Sequence, residues 1–366
     1  MKVKTKIKHS SPYIGQKEVN AVSRTLKRAI LSTGEIVSEF ENGISRIVGV
    51  KYACAVSSGS AALFLTIKML PEVFPELKQK DEVIIPSFSC FALSNSVLMN
   101  QMKPVFADIN IQNFSIDPQE IKKKITKRTL CAVFVHSFGI CSDIKEIIEL
   151  GIPIIEDIAQ SFGGKIDGRP AGSFGLASVS SFYATKVITT GGEGGAILSN
   201  NRELIEKIKD FIDYDKKTYE KEKLRFNFKM TDPNAAVGIV QLKKLKEILR
   251  IRKKIAEIYI QNLEELEKED LIILPPKQNN IFFRFPILLK KAKRDELIEY
   301  LNRKGVSAQK SIFRPIHFDI EPELKLKNTE IAYENSVSIP IHPNIKEKEA
   351  HTISKLIKSF FSQKNK

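Results

Sequence analysis

Between residues 50 and 200 the chain alternates compact apolar runs with longer amphipathic ones. YACAVSS, EVIIP, PVFADI, CAVFVHSFG, GIPIIEDIA, ASVSSFYA and GAILS have the length and apolar content of strands. Helical patterns separate several of them: one begins near Ala61 as ALFLTIKML, one is LSNSVLMNQ, and one follows Asp117-Pro118. This alternation predicts a mostly parallel sheet covered by helices on both faces. Upstream, residues 15–30 put Val19, Val22 and Leu26 on one helical face. A turn through Ser32, Thr33 and Gly34 then leads to a second helix around residues 35–48. Downstream, residues 234–264 read as one long helix. IFFRFPILL, the helix after it and HTISKLIKSFFSQ suggest a smaller α+β unit. The expected organisation is a large α/β domain over residues 1–240 and a small α+β domain over residues 241–366, with no internal repeat.

Composition narrows this picture little. With 42% apolar and 28% charged residues, the 366-residue chain has the make-up of a globular protein with a sizeable core. No stretch reaches the roughly 20 apolar residues of a membrane span. The cysteines Cys54, Cys90, Cys131 and Cys141 fall in different elements without CxxC spacing, so reduced thiols in a cytoplasmic protein are expected, and no metal site. The net charge of +15 is spread through segments such as KKKITKR and KKLKEILRIRKK. A solvated lysine-rich surface accounts for it, as does attraction of an anionic substrate. Nucleic-acid binding is not expected, because the lysines form no tract interleaved with aromatics.

Candidate chemistry collects after the predicted strands. Ser57 to Ser60, His136, Asp157 and Lys186 all fall beyond apolar runs, where ligands of α/β sheets bind. Lys186 lies 29 residues after Asp157, between SSFYAT and VITTGGEGG. A neutral lysine amine condenses with carbonyls, and an aspartate against a pyridine nitrogen keeps that ring electron-accepting. A surface lysine beside a glycine turn gives the same local pattern. Ser57-Ser58-Gly59-Ser60 opens a helix whose free amides suit a phosphate, or simply form a serine cap. Neither a Walker loop nor a dinucleotide fingerprint is present, since no GKS or GKT follows and GGEGG lacks GxGxxG spacing.

Taken in order, STGEIVSEFE (32–41), VSSGSAAL (56–63), DEVIIPSFS (81–89), KPVFADI (103–109), VHSFG (135–139) and IEDIAQSFGG (155–164) form a specific series. SFYATKVITTGGEGG (181–195), NFKMTDPNAAVGIVQLKKL (227–245) and SVSIPIHPN (336–344) continue it. The whole chain thereby resembles the DegT/DnrJ/EryC1/StrS family of pyridoxal-phosphate-dependent sugar aminotransferases, which have the fold-type I architecture of the aspartate aminotransferase superfamily. The resemblance implies Lys186 as Schiff-base lysine and proton shuttle, Asp157 at the pyridine nitrogen and Gln160 beside the ring. It implies Gly59, Ser60 and Ser181 at the phosphate. Asn227 would reach that phosphate from a partner subunit, giving a homodimer with shared active sites. His136 matches a histidine near the cofactor, in a catalytic or a structural role.

Departures from the family pattern are specific. Cys90 stands where an aromatic residue usually stacks on the cofactor ring, with Phe88 and Phe91 on either side. Lys229 replaces a usual arginine, and Ile312-Phe313-Arg314-Pro315-Ile316-His317 stands for HY-x-P-x-H. Lys229, Phe313 and His317 are the substrate-contact candidates. The retained lysine argues against the family's 3-dehydratase branch, which carries histidine there. The implied reaction moves an amino group from an amino acid, glutamate by resemblance, through pyridoxamine phosphate to a nucleotide-linked keto-sugar. An amino-cyclitol precursor or another small ketone is the alternative acceptor, and a non-catalytic regulator retaining the fold is the remaining reading.

Overall fold

Central strand residues of this chain feed two cores at once. Ala53, Ala55, Ile84, Phe134 and Ile154 are buried in one apolar cluster, whereas Cys54, Val56, Ile85, Val133 and Ile155 are buried in another. Successive side chains of a strand point to opposite faces, so the two clusters cover the two faces of one sheet. The computed structural model describes residues 7–214 and 224–364. Its first strands are β1 (Tyr52–Val56), β2 (Glu82–Pro86), β3 (Lys103–Ala107), β4 (Thr129–Val135) and β5 (Ile154–Asp157). A small hairpin of β6 (Lys165–Ile166) and β7 (Arg169–Pro170) follows, then β8 (Ala177–Ser181) and β9 (Gly195–Ser199).

Without the hairpin, these strands make one seven-stranded sheet of order β1-β9-β8-β5-β4-β2-β3. The run from β8 to β3 is parallel, and β9 is antiparallel to both of its neighbours. Its register pairs Asp157 with Val135 and Val179, and pairs Gly195 with both Val56 and Ser181. The ends of β1, β5 and β8 and the start of β9 therefore share one edge of the sheet. This fold is the fold-type I transferase architecture expected from the sequence.

Helices α1 (Gln16–Arg28), α2 (Glu35–Val48), α3 (Gly59–Val73), α4 (Ala92–Met99), α5 (Pro118–Lys124), α6 (Lys145–Ile148) and α7 (Arg202–Phe211) surround the sheet. They are followed by α8 (Asp232–Lys268), a continuous 37-residue helix that contains residue 240. Ala235, Leu245 and Ile248 of α8 join the core of the large sheet, while Ile255, Tyr259 and Leu263 join a third cluster. That third core lies against β10 (Ile272–Ile273), β11 (Phe285–Leu289), β12 (Gln309–Lys310) and β13 (Ser336–Ile339), an antiparallel sheet of order β10-β11-β13-β12. The remaining helices are α9 (Arg294–Arg303), α10 (His317–Ile320), α11 (Lys327–Asn335) and α12 (Glu347–Lys364). Among the described residues no helix is long and apolar enough to cross a membrane.

One local expectation needs correction, and two helix starts are set more finely. The inward face of α1 is Glu18, Ala21 and Thr25, whereas Val19 and Leu26 are 55% and 54% exposed. Glu18 wins the inward position because its carboxylate accepts bonds from the Gly15 amide, Gln241 Nε2 and Lys244 Nζ, which offset the cost of burying it. Helix α3 starts at Gly59, ahead of Ala61, because Ser58 Oγ caps it by accepting the Ala61 N–H at 3.1 Å. Helix α8 starts at Asp232, whose Oδ1 accepts the Gly34 and Val37 amides and ties α8 to the start of α2.

Candidate active site

At the shared sheet edge, Asp157 ends β5 and opens onto a cavity of about 310 Å³ that Lys186, Gly59, Ser60, Ser181 and Cys90 also line. Asp157 Oδ1 accepts the Ala159 N–H at 2.9 Å, while Oδ2 makes no hydrogen bond among the described residues. Burial raises the Asp157 carboxyl above the usual carboxylate value, opposed by the Ala159 amide and by the charges of Lys186 and His136. An unpaired carboxylate oxygen in such a place suits a cationic ring nitrogen.

Lys186 sits in the loop from β8 to β9. The loop folds back on itself through bonds from Ala184 N–H to Gly192 O and from Thr190 N–H to Phe182 O. Gly194 permits this return: its φ is +157°, and a Cβ there would lie 2.1 Å from Thr190 Oγ1. Burial lowers the basicity of the Lys186 amine, Cys90 and Asp157 oppose that, and Arg284 adds to the lowering. A larger neutral fraction makes the amine a better nucleophile and base.

The opposite wall of the cavity is the start of α3. With Ser58 Oγ on the Ala61 amide and Ser58 O on the Ala62 amide, the Gly59 and Ser60 N–H groups have no partner among the described residues. Two free amides at the positive end of a 15-residue helix, beside the Ser60 and Ser181 hydroxyls, form an anion cradle.

His136 does not line this cavity. Its Nε2 lies 3.1 Å from Glu156 Oε2, its backbone N–H donates to Asp157 O, and its ring packs edge-on against Phe134. Glu156, which the sequence reading passed over, also accepts the Gly172, Phe174 and Gly175 amides. Burial works against its ionisation, but the His136 contact and these amides outweigh it and hold the carboxyl below its ordinary value. His136 is thus fully buried behind Asp157, and its Nδ1 has no hydrogen-bond partner among the described residues. Gln160 Oε1 is likewise engaged, accepting the Phe138 N–H at 2.8 Å.

The other candidates disperse. Asn227 is exposed and accepts the Lys229 N–H through Oδ1. Lys229 Nζ pairs with Asp213 at 3.2 Å and lies over the Tyr214 ring. Phe313 is 83% exposed on a separate cavity. His317, expected to contact substrate, is buried: its Nδ1 is 2.6 Å from Ser87 Oγ and its Nε2 is 3.6 Å from Glu330. Its backbone N–H also donates to Ser87 Oγ, so the ring sits in the core between the end of β2 and α11, off the cavity wall.

Known proteins similar to this chain are numerous. An uncharacterised protein of Methanocaldococcus jannaschii is 31% identical over 382 residues, covering 96% of this chain and 97% of that one. A GDP-perosamine synthase of Vibrio cholerae is 29% identical, covering 91% and 93%. The solved structure of Helicobacter pylori PseC, an aminotransferase involved in the biosynthesis of pseudoaminic acid, superposes with a TM-score of 0.88 at 26% identity, covering 97% and 99%. The profile of the DegT/DnrJ/EryC1/StrS aminotransferase family spans residues 12–358, and with the lysine, the carboxylate and the anion cradle gathered at one sheet edge, this chain is an enzyme that belongs to that family.

Proposed function

We propose that this enzyme uses pyridoxal phosphate to move an amino group from an amino acid, glutamate, onto a nucleotide-linked keto-sugar. The observation that carries the proposal is one cavity with three matched walls: the free oxygen of Asp157, the amine of Lys186 and the Gly59–Ser60 amides. These fit the ring nitrogen, the carbonyl and the phosphate of that cofactor. When bound, the cofactor supplies an electron-accepting ring and a carrier for the amino group. Asp157 holds a proton on the ring nitrogen, and the cradle fixes the phosphate. Lys186 would carry the proton between the donor's α-carbon and the cofactor. Gln160, whose side-chain oxygen accepts the Phe138 amide, would stand beside the ring, and Cys90 on the cavity wall would take the place of an aromatic stacking partner. The acceptor reading draws on the relatives: the Vibrio cholerae protein is a GDP-perosamine synthase.

The functional unit is a homodimer in which Asn227 of each chain completes the other's phosphate site. Exposed Val19, Leu26, Ile30 and Leu31 on and just after α1 supply apolar surface for such an association. The cofactor-binding domain is assigned to residues 1–240 and the smaller domain to 241–366, with α8 crossing that boundary and lending Leu245 and Ile248 to the large core. The thiols, free throughout the described residues, suit a cytoplasmic setting.

The test is a two-stage assay on the purified chain loaded with pyridoxal phosphate. L-glutamate should convert the cofactor, and a panel of GDP- and UDP-linked keto-sugars should then yield an amino-sugar detected by mass. Conversion by glutamate with no product from any nucleotide-linked keto-sugar overturns the acceptor assignment.

A further inference from the structure

Phe283 precedes β11, far along the chain from the residues that line the cofactor cavity, and its side chain is buried. Lys186 Nζ nevertheless lies 5.5 Å from the centroid of its ring. That is within the range at which an ammonium is attracted to an aromatic face. Among the described residues the amine makes no hydrogen bond or ion pair, and this ring is the contact it has.

The backbone around Phe283 is held on two sides. Residues 279–284 run along the turn after β4: the Cys141 amide donates to Asn279 O, the Ile281 amide to Gly139 O and the Arg284 amide to Phe138 O. Gly139 makes this approach possible, since its φ is +93° and a Cβ there would lie 2.6 Å from Phe283 N. From α8, Arg252 Nη1 donates to Phe282 O, Phe283 O and Ile341 O. All of these bonds are to main-chain atoms, so they survive a change of the Phe283 side chain.

Much of the surroundings resists a positive charge on this amine. Burial lowers its basicity, and Arg284, whose Cζ is 4.9 Å from the same ring centroid, adds to the lowering. Arg252 Cζ, at 5.9 Å, is a third cation on that ring. Asp157 and Cys90 act in the other direction, and Glu193 and Tyr183 also line the cavity. On the aminotransferase reading, on which this inference rests, Asp157 is committed to the ring nitrogen once the cofactor is bound. Lys186 takes the donor's α-proton as a neutral amine, is an ammonium while it carries it, and is neutral again after delivering it to the cofactor. We infer that Phe283 is a positioning residue that receives the free Lys186 side chain against its ring and stabilises it as the ammonium between these two transfers.

The experiment reads Lys186 in the cofactor-free full-length protein, as wild type, Phe283→Leu, Phe283→Met and Phe283→Tyr. Cyanate carbamylates the neutral amine, so the rate at Lys186 against pH, followed by peptide mass, gives its titration midpoint. In Phe283→Leu and Phe283→Met, which keep an apolar side chain without the ring, the midpoint should fall by roughly half to one unit, the scale of one lost cation–π contact. Phe283→Tyr should keep the wild-type midpoint. A phenylalanine that only fills the core would give the opposite sign, because a looser core admits water and raises the midpoint toward that of an ordinary lysine. In the cofactor-loaded enzyme, the single-turnover rate with glutamate should fall about threefold in the ringless variants, at an unchanged half-saturating concentration. A midpoint that holds or rises in whichever ringless variant folds overturns the proposal, as does a single-turnover rate equal to wild type. A wild-type enzyme that never converts glutamate overturns the aminotransferase reading, and the carbamylation midpoint then decides the hold of Phe283 on the amine alone.

Discussion

Gly59 and Ser181 approach so closely that a Cβ on the glycine would lie 2.7 Å from the serine Cβ. This contact presses the first turn of α3 against the end of β8 and aims two free amides into the cavity. Gly59→Ala should push the two elements apart and weaken pyridoxal phosphate retention about tenfold, the scale of one charge-assisted hydrogen bond. Equilibrium dialysis of the cofactor against variant and wild type measures this, and equal retention would separate the cradle from phosphate binding.

Lys186→Ala should abolish transamination and every reducible covalent link to the cofactor, while noncovalent binding through the cradle persists. Borohydride reduction and peptide mass mapping check it in the wild type. A pyridoxyl group on any other lysine would reject Lys186.

Asp157→Asn should leave the fold intact, since Ala159 N–H can still donate to the side-chain oxygen. Both half-reactions should slow on the order of 100-fold or more, because an anionic partner that supplies several kcal/mol in the transition state is gone. Single-turnover rates close to wild type with normal cofactor content would remove Asp157 from the ring nitrogen.

Glu156 gives a pH signature. Its folded carboxyl is held below the ordinary 4.5, so its contribution to stability is fully present above that value and is lost as pH falls through the lowered one. Asp157 has the opposite sign: its raised carboxyl makes the ionised form costly, and protonation relieves that cost. Glu156→Gln should therefore destabilise the protein at neutral pH by about 2–4 kcal/mol, because buried amide donors lose their anionic acceptor. It should also flatten the acid limb of a Tm-versus-pH curve. An acid limb identical to wild type would show that Glu156 is not the group being titrated.

These two adjacent acids show what the sequence made legible. Asp157 was readable because it ends an apolar strand ahead of a lysine in a glycine-rich loop. Glu156 was hidden because, besides the His136 ring, its partners are the Gly172, Phe174 and Gly175 backbone amides, which carry no side-chain signal. Arg284 lies inside the apolar run IFFRFPILL, of which only the part from Phe285 is strand. In the fold Phe282 turns at φ 54° and β11 begins only at Phe285, which frees Arg284 to face a cavity. Helix α1 misled for a related reason. Periodicity finds an apolar stripe but not its partner, and here the core took Glu18 while Val19 and Leu26 stayed outside.

Those outward residues bear on the last prediction, that the active unit is a dimer with Asn227 of one chain at the phosphate of the other. Within its own chain Asn227 is exposed, lines no part of the cofactor cavity and only braces the Lys229 amide. That bond leaves its side-chain NH2 free to donate to an anionic oxygen across an interface. Asn227→Ala should weaken cofactor retention by roughly 1.5–3 kcal/mol without unfolding the chain, the value of a hydrogen bond to a charged group. Mixing decides whether the donor comes from the same chain or its partner. Lys186→Ala chains, which are inactive, and Asn227→Ala chains, held at a cofactor concentration too low for them to load, are combined after subunit exchange has been verified. In a mixed dimer with shared sites, one site carries both defects and the other carries neither, so activity should return. If Asn227 served its own chain, each site would carry one defect and the mixture would stay inactive despite verified heterodimers.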